Sequence, residues 1–361
     1  HYRSKNYPDG ILILDEPQYN DWGQVITGIE RYGDDKEALA NLTWNRLTNA
    51  YAYLTELNPD KLVFASLGGA GDWWDGSKWI VSSNPPDRSP FSGNCKDTDE
   101  YLEALQLLFR PAVWCYDAYP FVILSDNCKK AGLTPWDTTN DQPEYFHVWT
   151  QSFYHNLERF CRQSQITGRP FWAYCMSSPG GNWNPETDSY NFYNPFPSKE
   201  QLRFEAFNAL ASGAQGILFW SYGMGDGKEA ITPNSVEYIF SDAPLRAVIS
   251  KSDNPDKMKV EFPYRQSELW NNVKTVVGEI LKLEPIFFES TVKGLGHYCK
   301  GMDADKAYQY GGLAQASLPF GPVTAISTTE EGLLLSHIEK NGEDYLVIAN
   351  HDAFKAQNNI R

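Results

Sequence analysis

The sequence predicts an α/β fold built on a parallel sheet, either a barrel or a doubly wound sheet, followed by the start of an antiparallel β-module. Three observations carry this expectation. Short runs that are apolar on both faces recur between residues 10 and 223, each leading into a polar loop, as buried parallel strands do. Helical patterns lie between them, and strand alternating with helix implies crossover connections. Further on, two strand-like runs flank Asn341-Gly342, a strong hairpin signal.

Taken in order, the expected strands are "GILILDE" (10–16), "ALANLTW" (38–44), "PAVWCYDAYPF" (111–121), "RPFWAYCMSS" (169–178) and "QGILFWSYG" (215–223). The helical patterns are "EYLEALQLLFR" (100–110), "EYFHVWTQSFYHNLERFCRQSQ" (144–165) and "SKEQLRFEAFNALASG" (198–213). Ser198 followed by Gln201 forms a capping box, and Gly213 supplies the C-terminal stop. Residues 67–98 form a long loop rich in Gly, Pro and Ser that carries Trp73, Trp74 and Trp79; such a length points to function, and the tryptophans argue against disorder. After Gly223 the texture changes to a long amphipathic helix over 267–290 and the hairpin over 332–352.

The 361-residue chain is long enough for one large barrel or two ordinary domains. Its formal charge of −15, from 46 acidic and 31 basic residues, repels phosphate backbones and anionic membranes, so nucleic acid is not an expected partner. No apolar run approaches the roughly 18 residues of a membrane span, and no signal-peptide pattern stands at His1. Cys95, Cys115, Cys128, Cys161, Cys175 and Cys299 lack C-x-x-C spacing, which argues against a zinc knuckle or a redox pair. Cys115 and Cys175 read as core thiols, and a Cys95–Cys128 bridge would require an oxidising compartment. Asn41-Leu42-Thr43 is a glycosylation sequon.

In barrels and doubly wound sheets, functional groups collect at the C-terminal ends of the strands. Those ends deliver Asp15 and Glu16, Asn41 and Trp44, Tyr116, Asp117 and Tyr119, Tyr174, Ser177 and Ser178, and Trp220 and Tyr222. Carboxylates, amides and aromatics converge, without a His or Cys metal cluster, which is the inventory of a sugar site. Aromatic rings, here 12 Trp, 21 Tyr and 19 Phe, stack on the C–H faces of sugars, although a large aromatic core would account for many of them. Glycoside hydrolysis needs a proton donor and a second group at the oxocarbenium-like centre, both usually Asp or Glu. Glu16 is the expected donor, because burial and its neighbour Asp15 disfavour its ionisation. Asp117, among Trp114, Tyr116, Tyr119 and Phe121, is the second candidate. The alternatives are that Asp15 and Glu16 bond loop backbone and that tyrosine hydroxyls satisfy Asp117. Asp226 and Glu186 are lesser candidates on loops. No phosphate-binding glycine pattern, nucleophile elbow or metal motif occurs, so no cofactor and no metal are expected.

The series "GILILDEP", "ALANLTWN", "VWCYDAYPF", "RPFWAYCMSS" and "RFEAFNALASGAQGILFWSYG" resembles the later part of TIM-barrel glycoside hydrolases of the clan that contains the β-galactosidases, in particular bacterial relatives. The resemblance covers about residues 9 to 225. It implies that the chain enters a (β/α)8 barrel at the fourth strand and lacks the first three. In that scheme residues 1–290 are the barrel domain, and 291–361 begin a sandwich-like module. It also implies that Glu16, before Pro17, is the acid/base. Asn41, Tyr116, Tyr119, Trp172, Tyr174, Trp220 and Tyr222, with Asp15, would line the sugar subsite, and an oligosaccharide or polysaccharide would be the partner. An extracellular, periplasmic or cell-surface location follows from that activity, while the oligomeric state is left open. One departure is specific: the clan's nucleophile is a Glu ending strand seven, whereas "FWAYCMSS" has no carboxylate. That departure opens the alternative of a non-catalytic glycan-binding protein on a degenerate barrel. "DGILILDE" is also similar to the acid-bearing strand of chitinase-like hydrolases, but Leu12 and Leu14 replace the middle aspartates, so substrate-assisted catalysis does not follow.

Overall fold

The computed structural model describes residues 10–15, 36–68, 72–74, 79–81, 102–103, 105–107, 109–121, 143–177, 181–184, 189–192, 197–220, 248–250, 259–261, 268–299, 324 and 332–350. Its largest sheet has five strands in the order β1-β2-β5-β6-β9: β1 (Gly10–Asp15), β2 (Leu62–Gly68), β5 (Trp114–Asp117), β6 (Phe171–Met176) and β9 (Gly216–Trp220). β1 pairs with β2 and β2 with β5 in parallel register. Two short antiparallel hairpins interrupt the connections: β3 (Asp72–Trp74) with β4 (Trp79–Val81), inside the tryptophan-bearing loop, and β7 (Gly181–Asn184) with β8 (Ser189–Phe192). β10 (Val248–Ser250) and β11 (Lys259–Glu261) form a third.

The strand expected over 38–44 is helix, so Asn41 and Trp44 do not end a strand. They belong to α1 (Lys36–Leu57). "ALANLTW" is apolar enough for a short strand, but Ala, Leu, Lys and Glu favour helix and the pattern continues well beyond it. From Thr48 onward the half-buried positions recur at Thr48, Tyr51, Leu54 and Leu57, with exposed residues between them. The helix stops where Asn58 precedes Pro59, and the Asn58 side chain returns to the Leu54 carbonyl at 3.0 Å. The strand that does follow β1 is β2, whose residues Val63 to Leu67 are all buried.

The chain divides into two units, and β6 contributes residues to both. The first comprises 1–118, 147–173 and 310–312. In it, α2 (Pro143–Thr167) buries Phe153, Leu157, Phe160 and Cys161, the spacing of a core-facing helical stripe. The Tyr116 ring lies flat on Phe160, centroids 4.1 Å apart, and Trp114 Nε1 donates to Thr167 Oγ1 at 2.9 Å. Arg169 Nη1 donates to the Pro111 carbonyl at 2.7 Å and fastens the loop that enters β5.

The second unit comprises 119–146, 174–309 and 313–361. Its core lies between α3 (Lys199–Ala211), α4 (Glu268–Phe287) and β9, where Leu202, Ala206, Leu269, Val276 and Cys175 cluster with Ile217 and Phe219. The capping box of α3 forms as expected: Ser198 Oγ accepts from the Gln201 amide at 3.1 Å, and Gln201 Oε1 accepts from the Ser198 amide at 2.8 Å. Arg203 grips Glu279 with Nε and Nη2 at 2.8 and 2.5 Å, tying α3 to α4. An antiparallel sheet follows: β12 (Thr291–Cys299), β13 (Gly332–Lys340) and β14 (Glu343–Asn350). The turn between the last two is Asn341-Gly342, both at positive φ, as a two-residue hairpin requires.

Candidate active site

Strand alternation decides which side chains can face a substrate. In β5, Trp114 and Tyr116 point to α2, so Cys115 and Asp117 occupy the opposite face. Cys115 is register-paired with Ser66, and Asp117 with Gly68, which brings no side chain. Asp117 is half-buried at the C-terminal end of its strand, and Ser66 is fully buried. In β6, Phe171 lies beside Tyr116, which leaves Trp172 on the other face; its ring meets Phe64 edge-on at 5.7 Å. The first unit therefore carries Phe64, Ser66, Asp117 and Trp172 on the face of β2, β5 and β6 that turns away from α2.

Tyr116 was expected at the sugar subsite, but its ring is sandwiched into the core at 1 % exposure. A tyrosine two residues from Trp114 shares its face, and α2 covers that face. Asn41 lies on α1, as described above. Asp15 closes β1, where the register shifts by one residue: Leu12 pairs with Phe64, Leu14 with Ala65, and Asp15 with Ser66. A bulge of this kind changes the face that every following residue takes. Glu16 and Tyr222 lie outside the described residues, as do Asp226, Glu186 and the proposed Cys95–Cys128 pair.

In the second unit, Tyr174 is half-buried on the same strand face as Trp172. Phe219 packs into the α3–α4 core, so Trp220 takes the opposite face of β9, where it is 37 % exposed. The half-buried ring of Tyr119 stands 6.1 Å from it at 39°. These two rings make an open aromatic corner at the C-terminal end of β9. The Ser177 amide donates to the Trp220 carbonyl at 2.6 Å and joins that corner to the end of β6.

Two features, one in each unit, were not legible in the sequence. Ser66 and Phe64 were hidden because β2 was not expected. Glu205 was read only as part of a helix, although an acid between Phe204 and Ala206-Phe207 was a signal. Its side chain is fully buried, Oε2 accepts from the Met176 amide at 2.6 Å, and Oε1 has no hydrogen-bond partner among the described residues. Burial holds its carboxyl well above the ordinary carboxylate range, against the smaller opposing effect of the Met176 amide. Burial and the nearby Glu205 likewise push the Cys175 thiol up. Among the described residues no group of His, Cys, Asp and Glu is placed to hold a metal ion, and no helix is long and apolar enough to cross a membrane.

No protein family matches the sequence, and no curated protein does. Among solved structures the chain is similar to the endo-β-1,4-mannanase from Thermotoga petrophila, with 12 % identity and a TM-score of 0.34 over 86 % of this chain and 60 % of that one. It is also similar to a catalytic mutant of a GH42 β-galactosidase from G. stearothermophilus, with 15 % identity and a TM-score of 0.37 over 70 % of this chain. A β-galactosidase from the psychrophilic Marinomonas ef1 gives 12 % identity and a TM-score of 0.37, again over 70 %. The chain spans 26 % and 29 % of the lengths of the two β-galactosidases.

Proposed function

We propose that the chain is a glycoside hydrolase acting on an oligosaccharide or polysaccharide, with β1, β2, β5, β6 and β9 serving as strands four to eight of a TIM barrel. Asp117 carries the reading: a half-buried carboxylate at a strand's C-terminal end, on the face that turns away from α2 and also bears Trp172. Glu16, the residue after β1, is the general acid/base, and Asp117 is the second carboxylate. Trp172, Tyr174, Tyr119 and Trp220 supply the aromatic surfaces on which sugar rings stack, while Asp15 accepts from a sugar hydroxyl. Extracellular or periplasmic location accompanies that role.

The test is hydrolysis of a glycan panel by the wild type, Glu16→Gln and Asp117→Asn. Loss of a general acid lowers turnover by about 10²–10⁴-fold, and each variant is expected to lose at least that while keeping its circular dichroism. Unchanged turnover in Glu16→Gln would remove the acid assignment. A second reading is favoured by one observation: β6 ends in Cys175 and Met176, with no carboxylate where the resemblance places the nucleophile. On that reading the chain binds glycans without cleaving them, and Trp220→Ala abolishes binding while no wild-type turnover is found.

A further inference from the structure

We propose that Glu205 is a positioning residue for Trp220, acting from inside the core through the end of β6. The path is continuous within the second unit. Glu205 reaches from α3 and accepts from the Met176 amide at 2.6 Å. The next amide along the strand, that of Ser177, donates to the Trp220 carbonyl at 2.6 Å. The Trp220 ring then stands against Tyr119 at 6.1 Å. A buried carboxyl thus fixes the backbone at Met176–Ser177, and that backbone fixes where β9 ends and where its exposed ring sits.

The surroundings of Glu205 suit this task. Leu202 and Ala206 of α3 pack with Leu269 and Val276 of α4 and with Ile217 and Phe219 of β9, all apolar. Cys175 of β6 is the titratable group beside it, and burial raises both groups. The charged pair of α3, Arg203 with Glu279, is two residues away, about 200° around the helix. β14 presents its Asn350 carbonyl to Asn208 rather than to Glu205. A buried carboxyl bonded to a strand-end amide in apolar surroundings acts as an acceptor, and a hydrogen bond made there is not contested by water. Trp220 as a sugar platform rests on the function proposed above; the link from Glu205 to Trp220 does not.

The full chain labelled with 5-fluorotryptophan tests the link without any glycan. It gives 12 resonances, of which Trp220 is assigned by Trp220→Phe and the core residue Trp114 by Trp114→Phe. Glu205→Ala removes the acceptor, and Glu205→Gln keeps it. The expected result is a shifted Trp220 resonance and at least ten-fold faster exchange of the Ser177 amide in Glu205→Ala, with wild-type values for both in Glu205→Gln. The Trp114 resonance stays in place in all three proteins. An unmoved Trp220 resonance in Glu205→Ala, or an equal shift in Glu205→Gln, overturns the proposal. If Glu205→Ala loses the Trp114 signal, Glu205→Met, which fills the volume without an acceptor, is read by the same criteria.

Discussion

Glu205 also sets a pH dependence that belongs to one residue. Its carboxyl titrates well above its ordinary value of 4.5 in the folded chain because burial disfavours the charge. The folded protein therefore keeps a proton over a window in which the unfolded chain has released it. Stability from this group is complete below about pH 4.5 and is lost as pH rises toward the raised value, by about 1.4 kcal/mol per pH unit. Glu205→Gln carries no such proton. Its denaturation midpoint is expected to match the wild type near pH 4.5 and to exceed it increasingly as pH rises from there, as read by urea unfolding; a difference that does not change with pH would contradict the assignment. Glu205 was legible in the sequence only as part of a helix, and the site was legible in part. Asp117 could be named from "CYDAYPF", but which face it takes depends on Tyr116 stacking against Phe160, a contact from another element that no local pattern contains. The same contact withdrew Tyr116 from the subsite.

Among the elements, those with local punctuation were readable. Ser198, Gln201 and Gly213 mark α3 because capping is satisfied within a few residues, and Gly213 does take positive φ. Asn341-Gly342 marks the last hairpin for the same reason. Gly342 has φ 81° and nothing within 4 Å of where a Cβ would stand, so Gly342→Ala meets no clash and isolates the backbone cost. That cost is about 1–2 kcal/mol for an L-residue in the left-handed region. Thermal unfolding is expected to show a lowered midpoint for Gly342→Ala, whereas Gly278→Ala, on α4 with equal space, does not lower it. The elements that misled were those without punctuation. "ALANLTW" is ambiguous by itself, and α1 is revealed only by the longer run up to Pro59. β2 was hidden because Leu67 and Gly68 open a glycine-rich stretch and drew the strand into the loop. Without β2, the register partners of Asp117 and Asp15 could not be seen.

At the scale of the molecule, two buried groups of the second unit pull the stability curve in opposite directions. His297, fully buried in β12 opposite Leu334, is lowered from 6.5 to about 3 by burial. The unfolded chain takes up that proton below about pH 6.5 and the folded chain not until about pH 3, so stability from this group is present above 6.5 and lost on acidification. As pH rises from about 4.5 the slopes of Glu205 and His297 have opposite signs and offset each other, and below about pH 4.5 the Glu205 slope is absent while that of His297 persists. The raised thiols of Cys161 and Cys175 enter only above their ordinary value of 9.0. Other carboxylates, such as Glu279 held down by Arg203, act equally in wild type and variants and drop out of the differences. Each substitution then removes one of the two opposed slopes. His297→Leu removes the acid limb, so its stability relative to wild type rises as pH falls from 6.5 to 4. Glu205→Gln removes the slope of the buried carboxyl, so its relative stability rises as pH climbs above 4.5. Both residues lie in the second unit. The double variant is expected to show, against wild type, the sum of the two difference curves. A difference curve for His297→Leu that is flat across pH 4 to 6.5 would mean that the buried imidazole takes its proton in the folded chain as readily as in the unfolded one.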